Sequence, residues 1–369
     1  MYRRSLLALG ALAASLFNAS PVFAQPRKVT DVLGREISLP GPAQRVIVGF
    51  NFEEYTAIGG PKAWDRAVGL SRYLWESWRG ANWERYTKAI PRIAQLTDIG
   101  STDNNSFSAE KVIALRPDLL ILPAWTYTAI PGPRAEIERA GIPILVIDYN
   151  AQTVERHVAS TLAIGAAIGA EDRAEAIATE YAAGIEDVLE RVGRYSGPRP
   201  SIHFELGQAG ADTVGNSYAG TMWGAIADML GAQNIANGRL AGPWGPLNPE
   251  YVIAADPKLI FIAGSSWVNR PNAVRTGYPA TAEITRASLL PYAERPGWQG
   301  LTAIRNGDIH AIEHGAARTL MDLAAVQYIA RQLYPAQFAD VDPEATIRRY
   351  HERWLPVPFE GTWFIRLTP

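Results

Sequence analysis

Between residues 153 and 193 the chain runs without proline. Over the second half of this stretch Ile177, Tyr181, Ile185, Val188, Leu189 and Val192 recur at spacings of three and four, while Glu180, Glu186, Asp187, Glu190 and Arg191 fill the other faces. That spacing predicts an amphipathic helix over 172–192. Glu171 and Asp172 stand where the helix dipole favours acids, Arg191 and Arg194 where it favours bases, and Gly193 is placed for a left-handed stop. At about 1.5 Å per residue the helix reaches about 33 Å, the width of a small domain. A separate helix over 153–168 closes at Gly169.

On either side of this helix, apolar runs alternate with helical patterns. Before it, 29–39 reads as two short strands about a Leu33-Gly34 turn. Continuously apolar strands follow at 45–48, 67–70, 118–122 and 143–147. Helices are predicted at 52–58, capped by Asn51, from Ser108, and at 134–140. After the Gly197-Pro198-Arg199-Pro200 break a second round begins, with strands at 202–206, 259–263 and 309–312 and helices at 221–230, 249–255, 319–334 and 343–354. Apolar strands with helices between them indicate parallel sheets covered on both faces. The expected fold is α/β, with two doubly wound Rossmann-like lobes joined by a single long α-helix: a first lobe over 25–170, the connecting helix over 171–194 and a second lobe over 195–369. Such a fold binds its ligand between the lobes, at the carboxyl ends of the strands.

Length agrees with this division, since 369 residues at about 150 per domain suggest two domains. A net charge of -2 without a basic cluster argues against a nucleic-acid partner. At the N-terminus Arg3 and Arg4 precede an apolar run over 6–17, and Val22-Phe23-Ala24 presents small residues of the kind a signal peptidase reads. About 12 apolar residues are too few to cross a bilayer, so 1–24 is expected to be a signal peptide cleaved after Ala24. RRSLL suits either the twin-arginine or the general secretory route. The chain has no cysteine. This excludes disulfides, thiolate metal sites and a lipid-modified cysteine at the cleavage point, and the mature chain is expected to be a free periplasmic monomer.

Candidate ligand contacts follow from the strand ends. The stretch 71–86, SRYLWESWRGANWERY, combines aromatic rings and arginines without a clean period. Trp75, Trp78 and Arg79 there suit a flat or anionic chelate; the alternative is a loop pinned by its tryptophans. Trp125 and Tyr127 follow the strand 118–122 in the same topological place, and Tyr55 lies on the helix after the first strand of the lobe. In the second lobe Tyr218 and Trp223 flank a helix start, and Trp244 sits among glycine and proline. Trp267, Arg270, Arg275 and Tyr278 occupy a long loop after a strand, a common setting for function. Arg318 stands at a helix start where its charge opposes the dipole, which a nearby anion would explain. His310 and His314 are four apart, but in a strand that spacing is about 13 Å, too far for one metal ion. His314 alone is placed to reach the cleft. No histidine precedes residue 150, which argues against a bare metal shared between lobes, and no resident metal or cofactor is expected. Neither GxSxG, GxGxxG nor HExxH occurs, so binding without catalysis is expected.

The segments VTDVLGREISLPGPAQRVIV, FSAEKVIALRPDLLIL, GIPILVID, LGAQNIA, NPEYVIAADPKLIFIAG and LYP, in this order about the central helix, resemble the periplasmic binding proteins that serve ABC importers of iron-siderophore complexes, haem and cobalamin. The resemblance covers about 29–350. It implies a rigid receptor that delivers a ferric siderophore, or a similar metal chelate, to an ABC permease in the inner membrane. The closing YPAQFADVDPEATIRRYHERWLP also resembles a subgroup with molybdate- and tungstate-binding members, which implies an oxyanion as the alternative ligand. Members of the family dock on their permease through one acidic residue per lobe. The corresponding positions here hold Ala94 and Gln233, with Asp98 and Asp228 nearby.

Overall fold

A computed structural model describes residues 26–278 and 280–367; the expected signal peptide over 1–24 lies outside them. The hairpin Arg27–Thr30 and Glu36–Leu39 opens the chain. The first lobe is then built on a five-stranded parallel sheet in the order Thr97–Asp98, Ala67–Leu70, Val46–Val48, Leu119–Pro123, Ile144–Ile147. Every residue of Leu119–Pro123 and Ile144–Ile147 is buried, as a sheet covered on both faces requires. Strand order reverses between Val46–Val48 and Leu119–Pro123, and such a switch point leaves a crevice at the carboxyl ends. Gly49 lies there. A Cβ at Gly49 would stand 2.6 Å from Leu122 Cδ2 and 2.8 Å from the Ile121 carbonyl oxygen, so a larger residue would force the strands apart.

The second lobe has the parallel strands Gln233–Asn234, Ser201–Leu206, Leu259–Gly264 and Ile309–Glu313, with Phe364–Arg366 added antiparallel at the edge. Its switch point falls between Ser201–Leu206 and Leu259–Gly264. A two-stranded ribbon, Asn216–Tyr218 paired with Trp244–Pro246, stands apart from the sheet. The fold is therefore the expected α/β arrangement of two lobes.

The connecting helix runs Glu171–Gly193 and buries Ala174, Ile177, Ala178, Tyr181, Ile185, Val188 and Val192. It packs on Val154–Ile168 before it and on Asp322–Leu333 of the second lobe. At the first of these crossings a Cβ on Gly165 would approach Ala174 Cβ to 2.3 Å, so glycine permits the close packing. Thr153 caps the preceding helix through the Arg156 N–H, and Gly169 closes it at φ 72°.

Several local expectations differ from the structure. The long helix does not stop at a left-handed Gly193 but continues through it to Arg194, which is right-handed. Leu189 faces outward at 41% exposure. Residues 71–86 fold as two helices, Tyr73–Glu76 and the start of Gly80–Ala89. The predicted helix over 319–334 is preceded by a 3-10 turn, His314–Arg318, and begins at Asp322. Asn51 is left-handed and makes no side-chain cap to the helix Phe52–Gly59.

Candidate functional site

The two lobes turn their strand ends toward one another. On the first lobe the switch point presents Phe50 and Asn51 after one strand and Trp125 after the next, with the Phe50 and Trp125 rings edge to face at 5.8 Å. Glu53 and Glu54 open the helix Phe52–Gly59, where the dipole favours acids, and both are buried. On the second lobe Glu313 ends its strand. Its carboxylate accepts hydrogen bonds from Ser265 Oγ at 2.9 Å, Thr276 Oγ1 at 2.7 Å and the Gly315 N–H at 3.1 Å. These bonds tie the ends of neighbouring strands together and fix the start of the turn His314–Arg318.

Arg79 bridges the lobes. It is ion-paired with Glu53, and its guanidinium lies against Gly315 of the second lobe. Burial disfavours its charge, yet Glu53 and Glu313 hold the group above its ordinary pKa. Burial likewise raises the pKa of Glu313.

Arg318 is in a different situation. Its guanidinium lies over the Phe50 ring at 5.4 Å, and its Nε is enclosed with no hydrogen-bond partner among the described residues. Burial, and then the charge of Arg79, pull its pKa below the ordinary value. A half-buried cation with no ion-pair partner among the described residues attracts an anion more strongly than a surface one, because water screens it less.

His314 stands beside these arginines. Its Nδ1 accepts the Trp223 indole N–H at 3.2 Å. Burial, Arg318 and Arg79 depress its pKa well below the usual imidazole range, so the ring is neutral and its hydrogen is on Nε2. Tyr218, Trp267 and Trp223 surround it, with ring centroids at 6.0, 6.1 and 6.4 Å. Beyond Trp267 the cleft opens into a hollow of about 400 Å³, walled by Gly80, Ala81 and Glu84 of the first lobe and by Val268, Thr276 and Ile284 of the second.

The structure thus brings Arg79, Trp125, Tyr218, Trp223, Trp267, His314 and Arg318 to one region between the lobes. It places other candidates elsewhere. Trp75 is stacked on Phe52 at 4.2 Å and enclosed by Trp64, Trp83 and Tyr86, so it belongs to the core of the first lobe. Trp78 is half-buried against the same core. Tyr55 is buried beside Trp64, its hydroxyl donating to the Ala63 carbonyl at 2.9 Å. Tyr127 is sandwiched between the guanidinium groups of Arg35 and Arg134, each 4.4 Å from its ring. It shares the helix Ala124–Ala129 with Trp125, and residues two apart on a helix face nearly opposite ways. Tyr278 borders the hollow, but its ring packs on Trp363 and its hydroxyl meets His351 Nε2 at 2.5 Å. Arg275 borders the hollow, but it donates to the carbonyls of Trp267, at 2.7 Å, and Arg270, bracing its own loop. Arg270 is exposed at the loop tip. Trp244 is 59% exposed on the ribbon, paired in register with Tyr218. His310 is buried, stacked on Phe261 at 4.7 Å.

Phe50, Asn51, Glu53, Glu54, Gln152 and Glu313 border this region and were not among the candidates. Acids at a helix start are ordinary dipole partners, so nothing in the spacing marks Glu53 or Glu54; Phe50 and Asn51 carried the weaker signal of following a strand. Among the described residues no group of three or more histidines, cysteines, aspartates or glutamates could hold a metal ion.

Known proteins share this arrangement. The family described as periplasmic binding protein matches residues 56–314, and the chain belongs to that family. The TroA-like periplasmic binding protein FepB from Veillonella parvula superimposes with a TM-score of 0.88 at 34% identity, over 93% of this chain and 100% of that one. The molybdate-binding protein MolA of Haemophilus influenzae is 22% identical over 381 residues, 98% of each chain. An uncharacterized ABC transporter substrate-binding lipoprotein of Bacillus subtilis, YvrC, is 20% identical over 270 residues, covering 70% of this chain and 73% of that one.

Proposed function

We propose that this protein is the periplasmic receptor of an ABC importer and that its ligand is an anionic metal chelate of the ferric-siderophore type, bound without catalysis and passed to an inner-membrane permease. The observation that carries the reading is Arg318, a half-buried guanidinium whose Nε is enclosed and has no hydrogen-bond or ion-pair partner among the described residues, set near Tyr218, Trp223, Trp267 and His314. An anionic group of the ligand supplies the missing charge, and the rings give a bulky chelate flat walls. The adjoining hollow of about 400 Å³ falls within the usual range of small-molecule sites and far exceeds a four-oxygen anion. Solved structures of the same fold include a nickel–histidine complex, haem-binding proteins and a molybdate complex, so the fold itself serves several ligand classes. Export by the signal over 1–24 and a monomeric receptor free of the membrane belong to the same reading; the sequence offers no cysteine for a thioether-linked lipid.

Tryptophan fluorescence and melting temperature of the mature chain, titrated with ferric catecholates, ferric hydroxamates, haem, cobalamin and molybdate, test this. A ferric siderophore is expected to quench fluorescence strongly and to raise the melting temperature, and Arg318→Ala to weaken its binding at least about tenfold. Indifference to every chelate, with stabilisation by micromolar molybdate, would instead identify an oxyanion receptor.

A further inference from the structure

The guanidinium of Arg79 is held by Glu53, whereas among the described residues that of Arg318 is placed by the backbone that carries it and by the Phe50 ring beneath it, with no side-chain hydrogen bond. The first lobe grips that backbone at three points. Gln152 Nε2 donates to the Ala317 carbonyl and, at 3.0 Å, to the Tyr149 carbonyl of its own lobe. Asn51 Nδ2 donates to the Arg318 carbonyl at 3.0 Å. Glu54 Oε1 accepts the Leu320 N–H at 3.0 Å. Two of the three gripping residues have a left-handed backbone. Asn51 and Gln152 have φ of 57° and 55°, in the left-handed region where glycine sits freely, asparagine is tolerated and glutamine is uncommon. Both lie between elements, Asn51 just beyond Val46–Val48 and Gln152 just before Val154–Ile168, so no helix or strand imposes that conformation. Glycine at either place would relieve the backbone and lose the amide. A left-handed backbone kept at two non-glycine residues whose amides meet successive carbonyls of the opposite lobe is the mark of a preorganised site.

We propose that Asn51 and Gln152 are positioning residues for ligand binding: they fix the carbonyls of Arg318 and Ala317 so that the Arg318 guanidinium is held in place before the ligand arrives. The inference rests on the reading that Arg318 receives the ligand's anionic group. It extends that reading to residues that touch no ligand, and it makes the affinity of one lobe's arginine a property of the other lobe's loops.

The test uses Asn51→Gly, Gln152→Gly and the double variant, which keep a left-handed backbone accessible and remove the side-chain amides. Side-chain NMR of 15N-arginine protein, with the Arg318 Nε–H signal assigned by its loss in Arg318→Lys, reports on the guanidinium without any ligand. In the double variant its exchange with solvent is expected to accelerate at least about tenfold, and affinity for whichever ferric siderophore binds the wild type to fall by about the same factor. In an Arg318→Lys background the double variant is expected to change that affinity less than about twofold, which a general loosening of the fold would not reproduce. If the double variant does not fold, as judged by circular dichroism, Asn51→Gly alone is read, with an expected acceleration of about threefold. Exchange of the Arg318 Nε–H within about twofold of wild type in the folded variants would overturn the proposal. The two readings fail separately. Accelerated exchange in a protein that binds no chelate would sink the ligand class and leave the positioning role standing, and unchanged exchange with intact chelate binding would do the reverse.

Discussion

At the scale of single residues, the aromatic side chains divide by what surrounds them and not by how they look in the sequence. Trp75 and Trp267 both follow strands and both are almost fully buried. Trp75 is covered by Phe52, Trp64, Trp83 and Tyr86 of its own lobe, whereas Trp267 lies beside His314 at the cleft. Trp75→Ala is therefore expected to cost about 3–5 kcal/mol of stability, read from denaturant midpoints, while the folded fraction keeps its ligand affinity. Glu54 gives a second residue-scale prediction. Burial, and then the neighbouring charge of Glu53, push its carboxyl from 4.5 up to about 8. Between those values the folded protein retains a proton that the unfolded chain has released, so this group's contribution to stability declines as pH rises through the window, by up to about 1.4 kcal/mol per unit. Asp322, raised by burial, acts in the same direction, and His157, lowered to about 4 by burial, acts in the opposite one below its ordinary 6.5. The informative quantity is thus the difference between wild type and Glu54→Gln. That difference should shift in favour of the variant as melts are taken from pH 5 to pH 8, and a difference independent of pH would show that Glu54 ionises normally.

At the scale of elements, the helix Glu171–Gly193 shows periodicity and burial in agreement, with one informative exception. Ile185 is buried and Leu189 is 41% exposed, although the two are neighbours on the same apolar pattern. The exposed position lies at the margin of the stripe, where a helix that packs on Val154–Ile168 and Asp322–Leu333 leaves a sector uncovered. Ile185→Ala is expected to destabilise by about 2–5 kcal/mol and Leu189→Ala by no more than about 0.5 kcal/mol, a contrast that urea titrations of the two variants would resolve. Short elements behaved differently. The turn His314–Arg318, the left-handed Asn51 and the edge strand Phe364–Arg366 have no periodic signal, because their geometry depends on hydrogen bonds to residues distant in sequence.

At the scale of the whole molecule, the lobes are tied by the long helix and by bonds across the cleft: those of Asn51, Gln152 and Glu54, and an ion pair between Arg85 and Glu360 at 2.6 Å. The exposed ion pair contributes little by itself, since water screens it. The buried bonds fix one arrangement because each would leave an unsatisfied polar group if the lobes parted. Closure on ligand is accordingly expected to be small. Small-angle scattering should show a change in radius of gyration below about 1 Å, against the ~20 Å of a globule this size, and a larger contraction would mean that the helix bends or the clamp opens.

The sequence by itself determined the α/β class, the alternation of apolar strands and helices, the long helix and the family, because each is written in local periodicity or in segments that keep their order along the chain. It also pointed to the strand ends as the expected ligand region, since the switch point of a doubly wound sheet leaves a crevice there. Tertiary structure alone decided which strand-end residues share the cleft. Trp125 and Tyr127 are separated by the turn of a six-residue helix, Trp75 by the packing of its own lobe, and Arg275 by carbonyls of its own loop. It also decided that, among the described residues, Arg318 has no ion-pair partner while Arg79 has one: Glu53 turns onto Arg79 within the first lobe, whereas Asn51, more than 260 residues away in the chain, meets only the Arg318 carbonyl. Spacing along a chain specifies which face of an element is buried; which charges are left unpaired depends on what the opposite lobe brings to them.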